Sequence, residues 1–155
     1  MNRSAGVLMP IFSLCGEYGI GTFGKEAYNF VDFLYRSKQK YWQLLPLSPT
    51  TKGNSPYSSP CTYAGNPLLI DFDLLREDGL IDINEYSDID FGKDEGRVDY
   101  DILNDKKNHI LKLAASKFYD YMCEDRCKDK DEYDDFVKDN RFFIDDYAIY
   151  QVLKE

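Results

Sequence analysis

Four groups of residues in this 155-residue chain have types and spacings that could do chemistry. Gly19-Ile20-Gly21-Thr22-Phe23-Gly24 matches the G-x-G-x-x-G turn that holds a pyrophosphate at a helix N-terminus. Its surroundings do not fit that use. The first glycine lies about ten residues beyond the preceding predicted strand instead of directly after it, and no acidic residue stands near the end of the next strand to hold a ribose. The glycines read as a tight loop entry into a helix. Cys123 and Cys127 lie one helical turn apart, but His109 is the only histidine and no second cysteine pair follows, so no metal site is predicted. His109 stands among Lys106, Lys107 and Lys112 on a predicted amphipathic helix, with no Ser, Cys or second His suitably placed, and reads as a surface or half-buried structural residue. The 28 acidic residues form many carboxylate pairs by chance, and spacing names none of them as a catalytic dyad.

The fourth group carries more. Asn54-Ser55-Pro56-Tyr57-Ser58-Ser59 combines a stiff proline, a flat aromatic ring and several neutral hydrogen-bonding groups. A pyranose offers an apolar C–H face, which a tyrosine can cover, and a rim of hydroxyls, which amides and hydroxyls satisfy without a charge penalty. Taken alone, a tyrosine in such a loop is more often a loop-packing aromatic. Residues 48–67, which hold this group, are rich in Ser, Thr, Gly, Asn and Pro with Lys52 as their one charge, and so read as a long ordered loop.

The elements that must position such a loop follow from periodicity. Gly6-Val7-Leu8-Met9 is a short apolar run closed by Pro10, consistent with a buried strand. From Lys25 to Ser37, Ala27, Phe30, Val31 and Leu34 follow the spacing that puts one stripe on a helix face. Tyr41 to Leu47 is nearly continuous in apolar residues, as expected for a parallel strand buried on both faces. Strand, helix and strand make a βαβ unit, which brings the loops after both strands to one rim, where ligands bind. Leu68-Leu69-Ile70 is a further apolar run, a short helix opens at Asp73-Leu74-Leu75 and stops at Gly79, and residues 80–98 read as an exposed acidic connection. A long helix is expected from Asp99 or Asp101 to about Cys123, with Leu103, Ile110, Leu113, Ala114, Phe118 and Tyr121 on its stripe. Tyr133, Phe136 and Val137 mark another helix, and Phe143, Tyr147 and Tyr150 a last one that no stop signal ends before Glu155, so the chain reads as cut there.

Composition limits the classes. With 43% hydrophobic and 15% aromatic residues the chain is globular, of about one domain. A closed (β/α)8 barrel needs roughly 250 residues, so only part of one fits. The net charge of −9 argues against nucleic acid as a partner and favours a neutral or cationic ligand. The charge is uneven, with 6 basic and 3 acidic side chains in residues 1–70 and the acidic excess after them. Neither a leader pattern nor an apolar run of about 18 residues is present, so no membrane association and a reducing, cytoplasmic setting are expected.

Gly16-Glu17-Tyr18-Gly19-Ile20-Gly21, Tyr41-Trp42-Gln43-Leu44-Leu45-Pro46-Leu47, Asn54-Ser55-Pro56-Tyr57 and Ala64-Gly65-Asn66-Pro67-Leu68-Leu69-Ile70-Asp71, in this order and spacing, resemble the start of the amylomaltase (4-alpha-glucanotransferase, disproportionating enzyme) family of (β/α) barrels. Gly96-Arg97-Val98-Asp99-Tyr100 and Asp145-Asp146-Tyr147-Ala148 extend the resemblance over nearly the whole chain. It implies transfer of an α-1,4-glucan segment to another glucan or to glucose, with retention of configuration and no cofactor. Such chemistry uses a nucleophilic carboxylate and an acid/base carboxyl about 5 Å apart. In the family these come from later barrel strands, so the resemblance assigns no catalytic residue here, and Asp71 and Asp99 are not promoted to that role. What it carries over is binding of α-1,4-glucans and maltooligosaccharides: Tyr57 against sugar rings with Ser55 and Asn54 beside it, and Asn66 in a turn that braces the cleft or touches ligand. Lys52 departs from the pattern, standing where some members present an aromatic residue to a second, surface glucan groove.

The fold expected is therefore α/β: the N-terminal part of an alpha-amylase-type barrel, with two or three strands and the substrate loop in residues 1–98, and an acidic, mostly helical inserted segment in residues 99–155. The chain alone is expected to be catalytically inactive and, with an open sheet edge and exposed apolar faces, marginal and prone to aggregate. The alternatives in other classes are a non-enzymatic glucan-binding module and an acidic helical interaction domain.

Overall fold

The computed structural model describes residues 3–92, 96–124 and 127–154. It begins with strand β1 (Gly6–Leu8), helix α1 (Lys25–Arg36) and strand β2 (Tyr41–Gln43), and the two strands pair in parallel with Val7 opposite Trp42. Helix α1 starts after Gly24, carries Glu26 in its first turn and Arg36 in its last, and so complements its own dipole at both ends. Its buried stripe is Ala27 and Leu34, and Phe30 packs edge-on to Trp42 with ring centres 4.9 Å apart. The Trp42 indole in turn donates to the Met9 carbonyl at 2.7 Å, which fastens the end of β1 to β2.

This unit departs from the sequence-based expectation in three places. The second strand spans three residues, not the whole apolar run to Leu47, and it is not buried on both faces: Tyr41 is 66% exposed, as is Leu8 of β1 at 52%. The sheet has two strands among the described residues, so no further neighbour covers those side chains. Val31, placed on the buried stripe by its spacing, is 49% exposed. Leu68 and Leu69 are buried as an apolar run should be, but in a 3-10 turn (Pro67–Leu69) and not a third strand.

The core lies beside this unit. Helix α2 (Phe72–Glu77) begins one residue before the predicted Asp73, because Asp71 is its cap: one carboxylate oxygen accepts from the backbone N–H groups of Asp73 and Leu74, and the other accepts from the Thr22 hydroxyl at 2.5 Å. Phe72 is fully buried, with the rings of Tyr18, Tyr86 and Phe91 at 5.0, 5.3 and 5.6 Å. Ile81, Tyr86 and Phe91 come from the stretch read as an exposed connection; Asp82, Glu85, Asp88 and Asp90 are exposed while these three close the core. The glycine loop fits the structural use expected of it. A Cβ at Gly21 would collide with the backbone of Ile11 and Leu14, and Gly19, at φ +72°, lies against the carbonyl of Phe91.

Helix α3 (Tyr100–Cys123) lays Leu103, Lys107, Ile110 and Ala114 into this core, and His109 is exposed. Leu113, expected on the buried stripe, is 38% exposed. Residues 1–115 form one compact unit and residues 116–155 a second. The second holds the end of α3 with helices α4 (Lys130–Asp139) and α5 (Arg141–Lys154), and none of its described residues is buried. Among the described residues no helix is long and apolar enough to cross a membrane.

Candidate functional site

Because β1 and β2 run parallel, the chain leaves both at the same edge, and the segment after β2 forms a loop closed by successive rungs. Asn66 N–H donates to the Leu47 carbonyl at 2.8 Å, and the Ser48 hydroxyl donates to the Thr62 carbonyl at 3.3 Å. Nearer the tip, Thr51 N–H donates to the Ser58 carbonyl at 3.0 Å, and the Thr51 and Ser58 hydroxyls share a hydrogen bond at 2.6 Å. Within that last rung Asn54 N–H donates to the Thr51 carbonyl and Ser58 N–H to the Ser55 carbonyl, both at 3.0 Å. Gly53 at φ +105° and Asn54 at φ +56° turn the chain between them, a conformation that glycine and asparagine adopt at least cost.

The four residues singled out for binding fall in distinct places. Tyr57 stands at the tip, 75% exposed, with its backbone N–H on the Ser55 hydroxyl at 3.3 Å. Ser55 thus holds the tyrosine's backbone and is itself exposed. Asn54 contributes its backbone turn and lines a groove of about 690 Å³ with Arg97, Asp99, Tyr100 and Asp101. Asn66 caps the following 3-10 turn, its side-chain oxygen accepting from Leu68 N–H at 3.0 Å, so it braces the foot of the loop. Tyr57, Ser55 and Asn54 share one tip, and Asn66 stands apart at the neck. Lys52 is exposed.

Asp71 and Asp99, the two carboxylates not promoted to a catalytic role, are occupied structurally. Asp71 caps α2 and holds Thr22, and Asp99 accepts from Ile102 N–H at 3.1 Å at the start of α3. Three titrating groups are perturbed in the core instead, Tyr18, Lys107 and Tyr86, whose phenol burial raises. Burial, reinforced by the Asp73 carboxylate, pushes the Tyr18 hydroxyl well above the usual phenol range. Burial lowers the Lys107 ammonium to about 8, against the attraction of Asp71. Lys107 is fully buried, its Nζ has no hydrogen-bond partner, and it lies 4.9 Å from the Phe72 ring centre and 5.9 Å from that of Tyr18. The sequence reading had grouped Lys107 with its charged neighbours. Its spacing from Leu103, Ile110 and Ala114 was the available signal. Thr51 and Ser58 were also missed as a pair, because a bond across seven residues of loop has no sequence period.

Residues 9–155 match the profile of the family described as 4-alpha-glucanotransferase. The 4-alpha-glucanotransferase of Streptococcus pneumoniae is 42% identical over 153 residues, covering 99% of this chain and 29% of that protein. That of Thermus thermophilus is 38% identical over 152 residues, covering 98% of this chain and 29% of its own length. An amylomaltase from Streptococcus agalactiae, solved in complex with acarbose, superposes with a TM-score of 0.82 at 44% identity, over 91% of this chain and 28% of the other. The chain therefore spans less than a third of the length of these relatives, and its fold is that of the corresponding part of an amylomaltase. A profile match over nearly every residue, relatives at this identity and a matching backbone agree, and the chain belongs to the 4-alpha-glucanotransferase family.

Proposed function

We propose that this chain is the N-terminal portion of a 4-alpha-glucanotransferase that moves α-1,4-glucan segments between glucans or to glucose with retention of configuration. The observation that carries the reading is the exposed Tyr57 ring on a loop whose backbone is closed by hydrogen bonds, at the edge where both parallel strands end. A rigid aromatic in that place covers the apolar face of a glucose unit without first having to be ordered, while Ser55 and Asn54 offer neutral hydrogen-bonding groups to its hydroxyls. The acarbose bound by the Streptococcus agalactiae amylomaltase supports a sugar ligand. Residues 1–98 act as the first βα units of a (β/α)8 barrel and residues 99–155 as an acidic helical insertion. The nucleophile and the acid/base come from parts of the polypeptide outside this chain, and the 155 residues alone are inactive.

The test is disproportionation of maltotriose by the full-length protein. Glucose and longer maltooligosaccharides in the α configuration, formed without added cofactor, are the expected products. Retention of maltotriose without turnover would replace the enzyme by a glucan-binding module.

A further inference from the structure

We propose that Thr51 and Ser58 are positioning residues for glucan binding, a hydroxyl clasp that sets where the Tyr57 ring stands. The inference rests on the reading of Tyr57 as a sugar-binding ring. With a side chain 75% exposed, Tyr57 is not wedged by packing, so its place is fixed through its backbone. That backbone belongs to the eight-residue tip between Thr51 and Ser58, which is closed at its base by two bonds side by side: the backbone bond from Thr51 to Ser58 at 3.0 Å and the hydroxyl pair at 2.6 Å. Ser58 adjoins Tyr57 directly, and its N–H bond to the Ser55 carbonyl makes Pro56 and Tyr57 the two inner residues of a closed turn. The lower rungs, Ser48 with Thr62 and Leu47 with Asn66, join the loop to the end of β2 without fixing the angle of the tip. Removing either hydroxyl leaves the backbone rung and lets the tip hinge about it. A displacement of about an ångström there takes the ring off the sugar face, and a transition state that needs the contact suffers more than folding does.

The test is a cycle of variants in the full-length protein, read as kcat and KM for maltotriose. Thr51→Val and Ser58→Ala are each expected to lower kcat/KM by about three- to twenty-fold, the effect of one net hydrogen bond, with no loss of thermal stability. Thr51→Ser, which keeps the hydroxyl, recovers most of the loss. On a Tyr57→Ala background, Ser58→Ala changes kcat/KM by less than about two-fold, because the clasp acts through the ring. An equal loss with and without Tyr57 would overturn the proposal, as would no loss from Ser58→Ala in a protein that Tyr57→Ala does impair. If Tyr57→Ala itself has no effect, the sugar-binding reading fails and the clasp falls with it.

Discussion

The core around Phe72 and the loop of residues 48–66 keep their shapes by opposite means. In the core, shape comes from burial: four aromatic rings, Ile81, Leu103 and Ile110 exclude water, and Lys107 is held among them at the cost of its solvation. The loop buries little, and its tip is closed by hydrogen bonds among Thr51, Asn54, Ser55 and Ser58. Burial is strong and insensitive to the placement of any one atom, so it suits a foundation. Hydrogen bonds across a short neck are individually weak but directional, so they suit the orienting role proposed for the tip. Substitutions in the core should therefore move stability, and substitutions in the loop should move turnover at constant stability.

The largest effect expected is that of Phe72→Ala. The ring is fully buried and touches three other aromatics, so its removal should cost about 3–5 kcal/mol, read from the urea midpoint of the full-length protein. A cost below about 1 kcal/mol would show that the cluster is not the foundation.

Next is Lys107→Met, which should stabilise. Holding the ammonium at about 8 instead of 10.5 costs on the order of 3 kcal/mol at neutral pH. Losing its contact with the aromatic rings offsets part of the gain, which leaves about 1–3 kcal/mol. The same group dictates a pH profile. Below pH 8 the lysine is charged in both states and the penalty is complete. Between pH 8 and about 10 the unfolded chain binds the extra proton, so stability should rise by up to about 1.4 kcal/mol per pH unit. Above pH 10 the raised phenols of Tyr18, Tyr86 and Tyr100 oppose this, because they ionise first in the unfolded chain. Urea titrations at successive pH values check the slope, which should vanish in Lys107→Met; an unchanged slope would assign it to another group.

Much of this contrast was legible in the residues. Helical spacing placed α1 and α3 to within a residue or two, and the order of short motifs pointed to the family before any coordinates. What escaped has physical causes. Strand length was overestimated because Leu44 and Leu47 pack against the core without taking part in sheet pairing. The stretch from residue 80 to residue 98 was misread because its apolar residues are few and set among acids, and only tertiary packing selects Ile81, Tyr86 and Phe91. The burial of Lys107 is not visible in composition, which registers only its charge, because a lysine carries an apolar stem that fits a helix stripe. At the candidate site, the types of Tyr57, Ser55 and Asn54 made them candidates for sugar binding, whereas the hydrogen bond joining Thr51 to Ser58 exists only once the loop is folded.

The smallest stability effects belong to the loop. Ser55→Ala should change stability by less than about 0.5 kcal/mol, as for other exposed positions, since the bond it removes is exposed. Tyr57→Ala supplies the most direct test of the central claim, that the tip carries binding while the core carries shape. In the full-length protein it should lower kcat/KM for maltotriose by roughly ten-fold to a thousand-fold while leaving the urea midpoint unchanged, and Tyr57→Phe should retain more activity because the ring remains. A folded Tyr57→Ala protein whose kcat/KM stays within about two-fold of the parent would make the tyrosine an ornament of the loop and contradict the account.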